Sequence, residues 1–106
     1  MIEAEKIRNL VSRIAREFDP DKIILFGSHA YGQPSDSSDV DVLVVLPFEG
    51  KPARKAIEIR NRIEAKMPLD LIVRTPEQLA DRLAQNDWFM REIVERGRTL
   101  YEANHE

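Results

Sequence analysis

The sequence predicts an α/β (α+β) domain: two layers, with helices packed against a mixed sheet of three to four strands. Three observations lead there. Apolar residues recur at helical spacing in three separate stretches. Short apolar, β-branched runs bounded by Pro, Gly and Asp lie between them. A helix-length segment joins the second and third runs, which is the connection that parallel neighbours require. The order reads roughly α-β-α-β-α-β-α-β. With 106 residues, the chain is expected to form one domain over residues 1–106, with no room for a second independent core.

The elements follow from local chemistry. Ile7, Leu10, Val11, Ile14 and Phe18 mark an amphipathic helix over residues 3–17, stopped by Asp19-Pro20-Asp21. Lys22 to Phe26 reads as a buried strand ending at Gly27-Ser28, and residues 28–38 hold one helical turn followed by a polar loop. The strand Asp39 to Leu46 is the most apolar stretch, and Pro47 closes it. Ala56, Ile59, Ile63 and Met67 share one face of a helix over residues 52–67, with Pro52 suited to its first turn. Leu69 to Val73 is a third strand. Thr75-Pro76-Glu77-Gln78 reads as a capping box that starts a helical pattern over residues 76–96, broken near Asn86-Asp87. Gly97 is a helix stop, and Arg98 to Glu102 is a short fourth strand.

Composition narrows the function classes. Apolar residues make up 42% and charged residues 33%, a globular balance. The 19 acidic and 16 basic side chains give a net charge of −3, so direct nucleic-acid binding, which wants a basic excess, is not expected. The absence of Cys excludes disulfides, thiolate metal sites and a thiol nucleophile. His29 and His105 are the two histidines, too few for a His-rich metal site. No apolar run approaches the roughly 20 residues of a membrane helix, and MIEAEKIRNL lacks a signal-peptide pattern. A cytoplasmic protein without membrane attachment is the expectation.

One constellation carries chemistry. Gly27-Ser28 is followed by Asp39-Val40-Asp41, and a third acid, Asp70, opens the next strand. Alternate strand residues project from one face, so Asp39 and Asp41 point the same way, with Leu43 and Val45 continuing that face inward. Carboxylates this close repel, and burial raises the cost, which suggests a bound cation. A parallel crossover sets Asp70 beside them. For the Gly-Ser turn to reach the acids, the first strand must run antiparallel to the second. Three carboxylates suit Mg²⁺ together with substrate phosphates, and two such ions clamp an in-line phosphoryl transfer. Gly27 lets a phosphate approach the backbone, and the Ser28 amide and hydroxyl offer donors to it. Singly, each motif is more often a turn or a solvated strand end. Jointly, at one spacing, they should arise by chance in on the order of one in a thousand chains of this size.

The segment LFGSHAYGQPSDSSDVDVLVVL resembles the signature of the DNA polymerase β-like nucleotidyltransferase superfamily, and LDLIVRTPEQL looks like the strand carrying its third acid. The chain is most similar to the minimal nucleotidyltransferases, and the resemblance covers essentially all of it. That resemblance implies transfer of a nucleoside monophosphate, AMP from ATP, to an acceptor hydroxyl with release of pyrophosphate. It implies that Asp39 and Asp41 bind two Mg²⁺ ions, that Asp70 binds the catalytic ion and helps deprotonate or orient the acceptor, and that Gly27 and Ser28 hold the triphosphate. Many relatives carry Arg where this chain has His29, which implies weaker phosphate binding that His29 replaces only in part. The family also pairs such domains with helical HEPN-domain proteins, the pair acting as antitoxin and RNase toxin. Neutralisation there attaches AMP to a Tyr of the HEPN partner, or proceeds by binding alone. The acceptor site is expected to be completed by another chain. Two readings compete with this one: a non-catalytic module that masks the partner sterically, and a transferase with a small-molecule or RNA acceptor.

Other residues invite functional readings beside plainer ones. Lys51, Arg54 and Lys55 could reach a triphosphate, but a solvated helix start accounts for them better. Arg74 is evenly balanced between the site and the surface. Tyr31 stacks on a base or packs beside the Gly-Ser turn. Trp88 and Phe89, being adjacent, cannot both face one core stripe, so the Trp88 region or an exposed sheet edge offers a surface for a partner or a homodimer. His105, in the tail, has no assigned role.

Overall fold

Two apolar surfaces of one sheet organise the molecule. In the computed structural model, which describes residues 2–32, 34–35 and 38–103, helix α1 (Ala4–Phe18) is followed by β1 (Lys22–Phe26), a single turn α2 (Ser28–Tyr31) and β2 (Val40–Val45). Then come α3 (Pro52–Ile63), β3 (Leu69–Arg74), α4 (Pro76–Ala84), α5 (Trp88–Arg96) and β4 (Arg98–Glu102). The strand order is β3-β2-β1-β4. Strand β1 is antiparallel to both β2 and β4, and β2 is parallel to β3, so the sheet is mixed as expected.

The strands β1 and β2 are apolar at consecutive positions because both of their faces are covered. On one face Ile23, Leu25, Val42 and Val44 pack with Ile7, Leu10, Val11 and Ile14 of α1 and with Ile59 and Ile63 of α3. On the other, Ile24, Phe26, Leu43 and Val45 pack with Met90 and Ile93 of α5, and the half-buried Leu79 and Leu83 of α4 join them. The expected layering of helices on a sheet thus describes α1 and α3, while α4 and α5 add cover to the opposite face.

Helix ends follow the local signals in most places. Asp19 takes a left-handed conformation (φ 45°) and its N–H donates to the Ala15 oxygen at 2.9 Å, ending α1 before Pro20. The capping box at α4 is complete. The Gln78 N–H donates to Thr75 Oγ1, and the Thr75 N–H donates to Gln78 Oε1, both at 3.0 Å. The break predicted near Asn86-Asp87 separates α4 from α5, with Asn86 at φ 61° and Asp87 Oδ1 accepting from the Met90 N–H at 3.1 Å.

One expectation changes, and another holds for a reason of its own. The helix predicted over 52–67 ends at Ile63, because Glu64 turns left-handed (φ 49°). Met67 precedes Pro68 and so disfavours helix, and the Pro68 oxygen is needed by the Val40 N–H at 2.9 Å, which begins the β2–β3 pairing. Gly97 does stop α5, but in extended conformation (φ −68°, ψ 167°) rather than by a left-handed cap. Space is what requires glycine there: a Cβ would strike the Ile93 oxygen and come within 2.6 Å of Ile24 Cγ2 and 3.0 Å of the Leu25 oxygen.

Two of those three neighbours are backbone oxygens that cannot swing aside. Gly97→Ala is therefore expected to lower unfolding stability by about 1–3 kcal/mol, the range for overpacking. A urea midpoint unchanged from wild type would contradict the packing described.

Candidate active site

The acids meet because of strand register. Phe26 at the end of β1 pairs with Asp41, and on the other side of β2 Asp41 pairs with Asp70. Neighbouring residues in register present their side chains to the same face, here the one continued by Leu43 and Ile72 toward α5. Asp39 lies two residues before Asp41 on that face. Asp39 and Asp70 are exposed, while Asp41 is half-buried.

That difference sets the electrostatics. Burial pushes the Asp41 carboxyl up from its ordinary 3.8 to about 6. The charges of Asp70 and then Asp39 push the same way, as does a hydrogen bond with the Asp70 carboxyl. Asp41 thus shares one crowded patch of negative charge with both other acids. Among the described residues, no three His, Cys, Asp or Glu side chains stand as a ready-made metal group. The donor set is nonetheless all carboxylate oxygen, the ligand type Mg²⁺ takes, and a cation would relieve the repulsion that raises Asp41.

Gly27 completes the approach. It is held at φ 74°, and a Cβ on it would fall inside the Asp41 carboxylate, with Asp41 Cγ only 2.9 Å away. No other residue fits between this turn and the acid. From Gly27 the chain enters α2: the Gly27 oxygen accepts from the N–H groups of Ala30 and Tyr31, both at 3.0 Å. The first amides of this turn, Ser28 and His29, have no preceding helical carbonyl to bind. Ser28 lies in this turn, one residue from the glycine that abuts Asp41.

The remaining candidates sort by position. His29 does not offer a free ring to a phosphate. Nδ1 lies 3.0 Å from the Asp39 oxygen, and Nε2 accepts from the Ile2 N–H at 3.2 Å. Tyr31 packs against the second core and carries the Arg96 guanidinium 4.4 Å above its ring, so the packing account describes it. Arg74 closes β3, four residues from Asp70 and so about 13 Å along the strand. Its guanidinium donates to the oxygen of the preceding residue, Val73, at 2.7 Å. Lys51, Arg54 and Lys55 begin α3, beyond the end of β2 that is remote from the acids. Lys55 lies over the Phe18 ring at 5.4 Å and pairs with Glu58 at 3.2 Å.

Trp88 is 75% exposed, whereas Phe89 meets Phe26 edge-on with ring centroids 5.8 Å apart. A hollow of about 500 Å³ runs along α5 between Trp88 and Arg96. Its charged walls pair with one another (Arg91 with Glu95, Arg96 with Glu92), and none of the three acids lines it. His105 and, in the polar loop, Gln33, Asp36 and Ser37 lie outside the described residues. No helix among the described residues is long and apolar enough to cross a membrane.

Comparison with known proteins places this arrangement. Residues 5–106 match the family model described as polymerase beta, nucleotidyltransferase. A relative from Methanocaldococcus jannaschii, named as a candidate protein adenylyltransferase, is 30% identical over 108 aligned positions, covering 95% of this chain and all of the relative. Among solved structures, a candidate nucleotidyltransferase from Sulfolobus solfataricus superposes with a TM-score of 0.65 at 21% identity, over 92% of this chain and 78% of that one. A mutant of the toxin–antitoxin MntA–HpeT (TM-score 0.55, 18% identity) and a toxin–antitoxin with AMP-PNP (0.56, 19%) each align over 92% of this chain and 74% of theirs. At these identities the structures establish the common fold.

The raised Asp41 carboxyl ties stability to pH. Between the unfolded value of 3.8 and the folded value near 6, the folded chain holds the proton more tightly. The corresponding stability is complete below about pH 4 and is lost as pH rises through 6. In metal-free buffer, Asp41→Asn should gain stability over wild type at pH 7.5 and gain less at pH 4.5. An equal difference at both values, in paired urea melts, would show that the Asp41 carboxyl is not raised in the folded chain.

Proposed function

The chain belongs to the polymerase β nucleotidyltransferase family, and on that premise we propose that it moves AMP from ATP to a Tyr hydroxyl of a HEPN-domain toxin and so serves as the antitoxin of that pair. The observation that carries the reading is the register that stacks Asp70 against Asp41 beneath Gly27. That arrangement is an oxygen-rich acid cluster facing a backbone turn from which side-chain bulk is excluded. The curated relative named as a candidate protein adenylyltransferase supports a protein acceptor. The toxin–antitoxin structures, one with AMP-PNP, support a toxin partner and an adenine nucleotide.

In this reading Asp39, Asp41 and Asp70 hold Mg²⁺, with Asp39 and Asp41 serving two ions and Asp70 the catalytic one. Bound there, Mg²⁺ supplies positive charge against the triphosphate and the reacting oxygens. The Gly27 backbone and the Ser28 amide and hydroxyl hold the triphosphate. The Tyr oxygen attacks the α-phosphorus and the bond from that phosphorus to the bridging oxygen breaks. Pyrophosphate leaves with the electron pair, and the hydroxyl proton passes to the Asp70 carboxylate or to water beside it. Asp70, exposed at the rim, is open to an acceptor from another chain, whereas half-buried Asp41 anchors the cluster.

The test is incubation with Mg²⁺ and ATP labelled at the α-phosphate, with and without a candidate HEPN-domain partner protein, read on a denaturing gel. Label is expected on the partner, reduced at least about 100-fold in Asp41→Asn and Asp39→Asn, as for removal of a positioned catalytic group. Neutralisation by the unlabelled Asp39→Asn/Asp41→Asn double variant would instead identify a masking module.

A further inference from the structure

Asp39 and Asp41 are two residues apart, yet the sheet holds them differently. Asp41 is paired on both sides, with Phe26 and with Asp70. Asp39 is paired with nothing in the sheet: the β1 register ends at Asp41 and the β3 register begins at Val40. Its main chain comes off the end of β2 into a polar loop. Its peptide oxygen meets the His29 ring, Nδ1 at 3.0 Å. That ring is held in turn from behind, where Nε2 faces the Ile2 N–H at 3.2 Å.

The two contacts determine one arrangement of the ring. A peptide N–H can only donate, so Nε2 must be bare to receive Ile2. The proton of the neutral ring then sits on Nδ1, where it donates to Asp39. Each contact selects the tautomer that the other needs. His29 also stands in α2, directly after Ser28, so one side chain joins the Gly-Ser turn, the loose approach to β2 and the segment ahead of α1.

We propose that His29 is a positioning residue: clamped between the Ile2 N–H and the Asp39 oxygen, it fixes the main chain from which the Asp39 carboxylate enters the acid cluster. The proposal rests on the cluster being the transfer site. It makes Ile2 part of how the site is built, though Ile2 touches none of the acids' carboxylates. It also accounts for His29 without assigning it a phosphate, since both ring nitrogens are engaged.

The variants separate the two contacts. In His29→Asn an amide N–H sits near the Nδ1 position and keeps the bond to Asp39. In His29→Ala both contacts go. With folding confirmed by unchanged circular dichroism below the melting temperature, His29→Ala should lower kcat for AMP transfer about tenfold, and His29→Asn should restore most of it. The KM for ATP should change less than kcat, because Gly27 and Ser28 are untouched.

Two measurements do not depend on turnover. Nitrogen-resolved NMR of the wild-type ring should show the Nδ1–H tautomer with Nε2 bare, and Mg²⁺ alone should bind about tenfold more weakly to His29→Ala than to wild type. An Nε2–H tautomer, or Mg²⁺ affinity and kcat equal to wild type in folded His29→Ala, would overturn the positioning role. A wild type with the expected tautomer and Mg²⁺ effect but no AMP transfer would uphold the role of His29 and defeat the transferase reading instead.

Discussion

Asp41 sits where three segments of the chain meet, and the rest of the structure is fitted around its half-buried carboxylate. Strand β1 ends against it, β3 brings Asp70 into register with it, and Gly27 turns so close that any side chain there would occupy the same space. Burial and two neighbouring acids make its charged form costly. A protein selected only for stability would place an apolar residue at this position. The cluster is therefore best understood as a site held under electrostatic strain, with the hydrophobic sheet as its support.

That support is built from both faces. Because α1 and α3 cover one side of β1 and β2 while α4 and α5 cover the other, Val42, Leu43 and Val44 are fully buried at consecutive positions. Truncating a buried side chain such as Leu43 to Ala typically costs about 2–5 kcal/mol. Rigidity in the middle of the sheet lets its edge carry unfavourable charge. The acids lie at one end of the strands, and Arg74 and the basic residues that begin α3 lie at the other.

The openness of the site bears on its role. Asp39 and Asp70 face solvent, and the hollow along α5 is lined by charges that satisfy one another rather than by the acids. A transferase of this shape would present its reactive carboxylates on an exposed rim, accessible to a hydroxyl carried by a protein surface. Trp88, largely exposed on the neighbouring helix, belongs to the same side of the sheet as the acids, through the contact of Phe89 with Phe26.

The sequence by itself determined the elements, the mixed sheet and the membership of the acid cluster. These rest on short-range rules: helical spacing in α1, the Thr75 capping box, strand alternation at Asp39 and Asp41, and a crossover long enough to make β2 and β3 parallel. Where a local signal competed with a distant need, it was insufficient. The apolar spacing through Met67 suggested a longer helix, but Pro68 had to reach Val40, and Gly97 proved necessary for space beside Ile24 rather than for backbone handedness. Only the tertiary structure decided that Arg74 stands at the far end of its strand, that Arg96 covers Tyr31, and that His29 is engaged by Ile2 and Asp39. Each of these depends on what packs against a side chain from elsewhere in the chain. A residue's type and spacing announce what it can bond to; its neighbours in space determine which bond it makes.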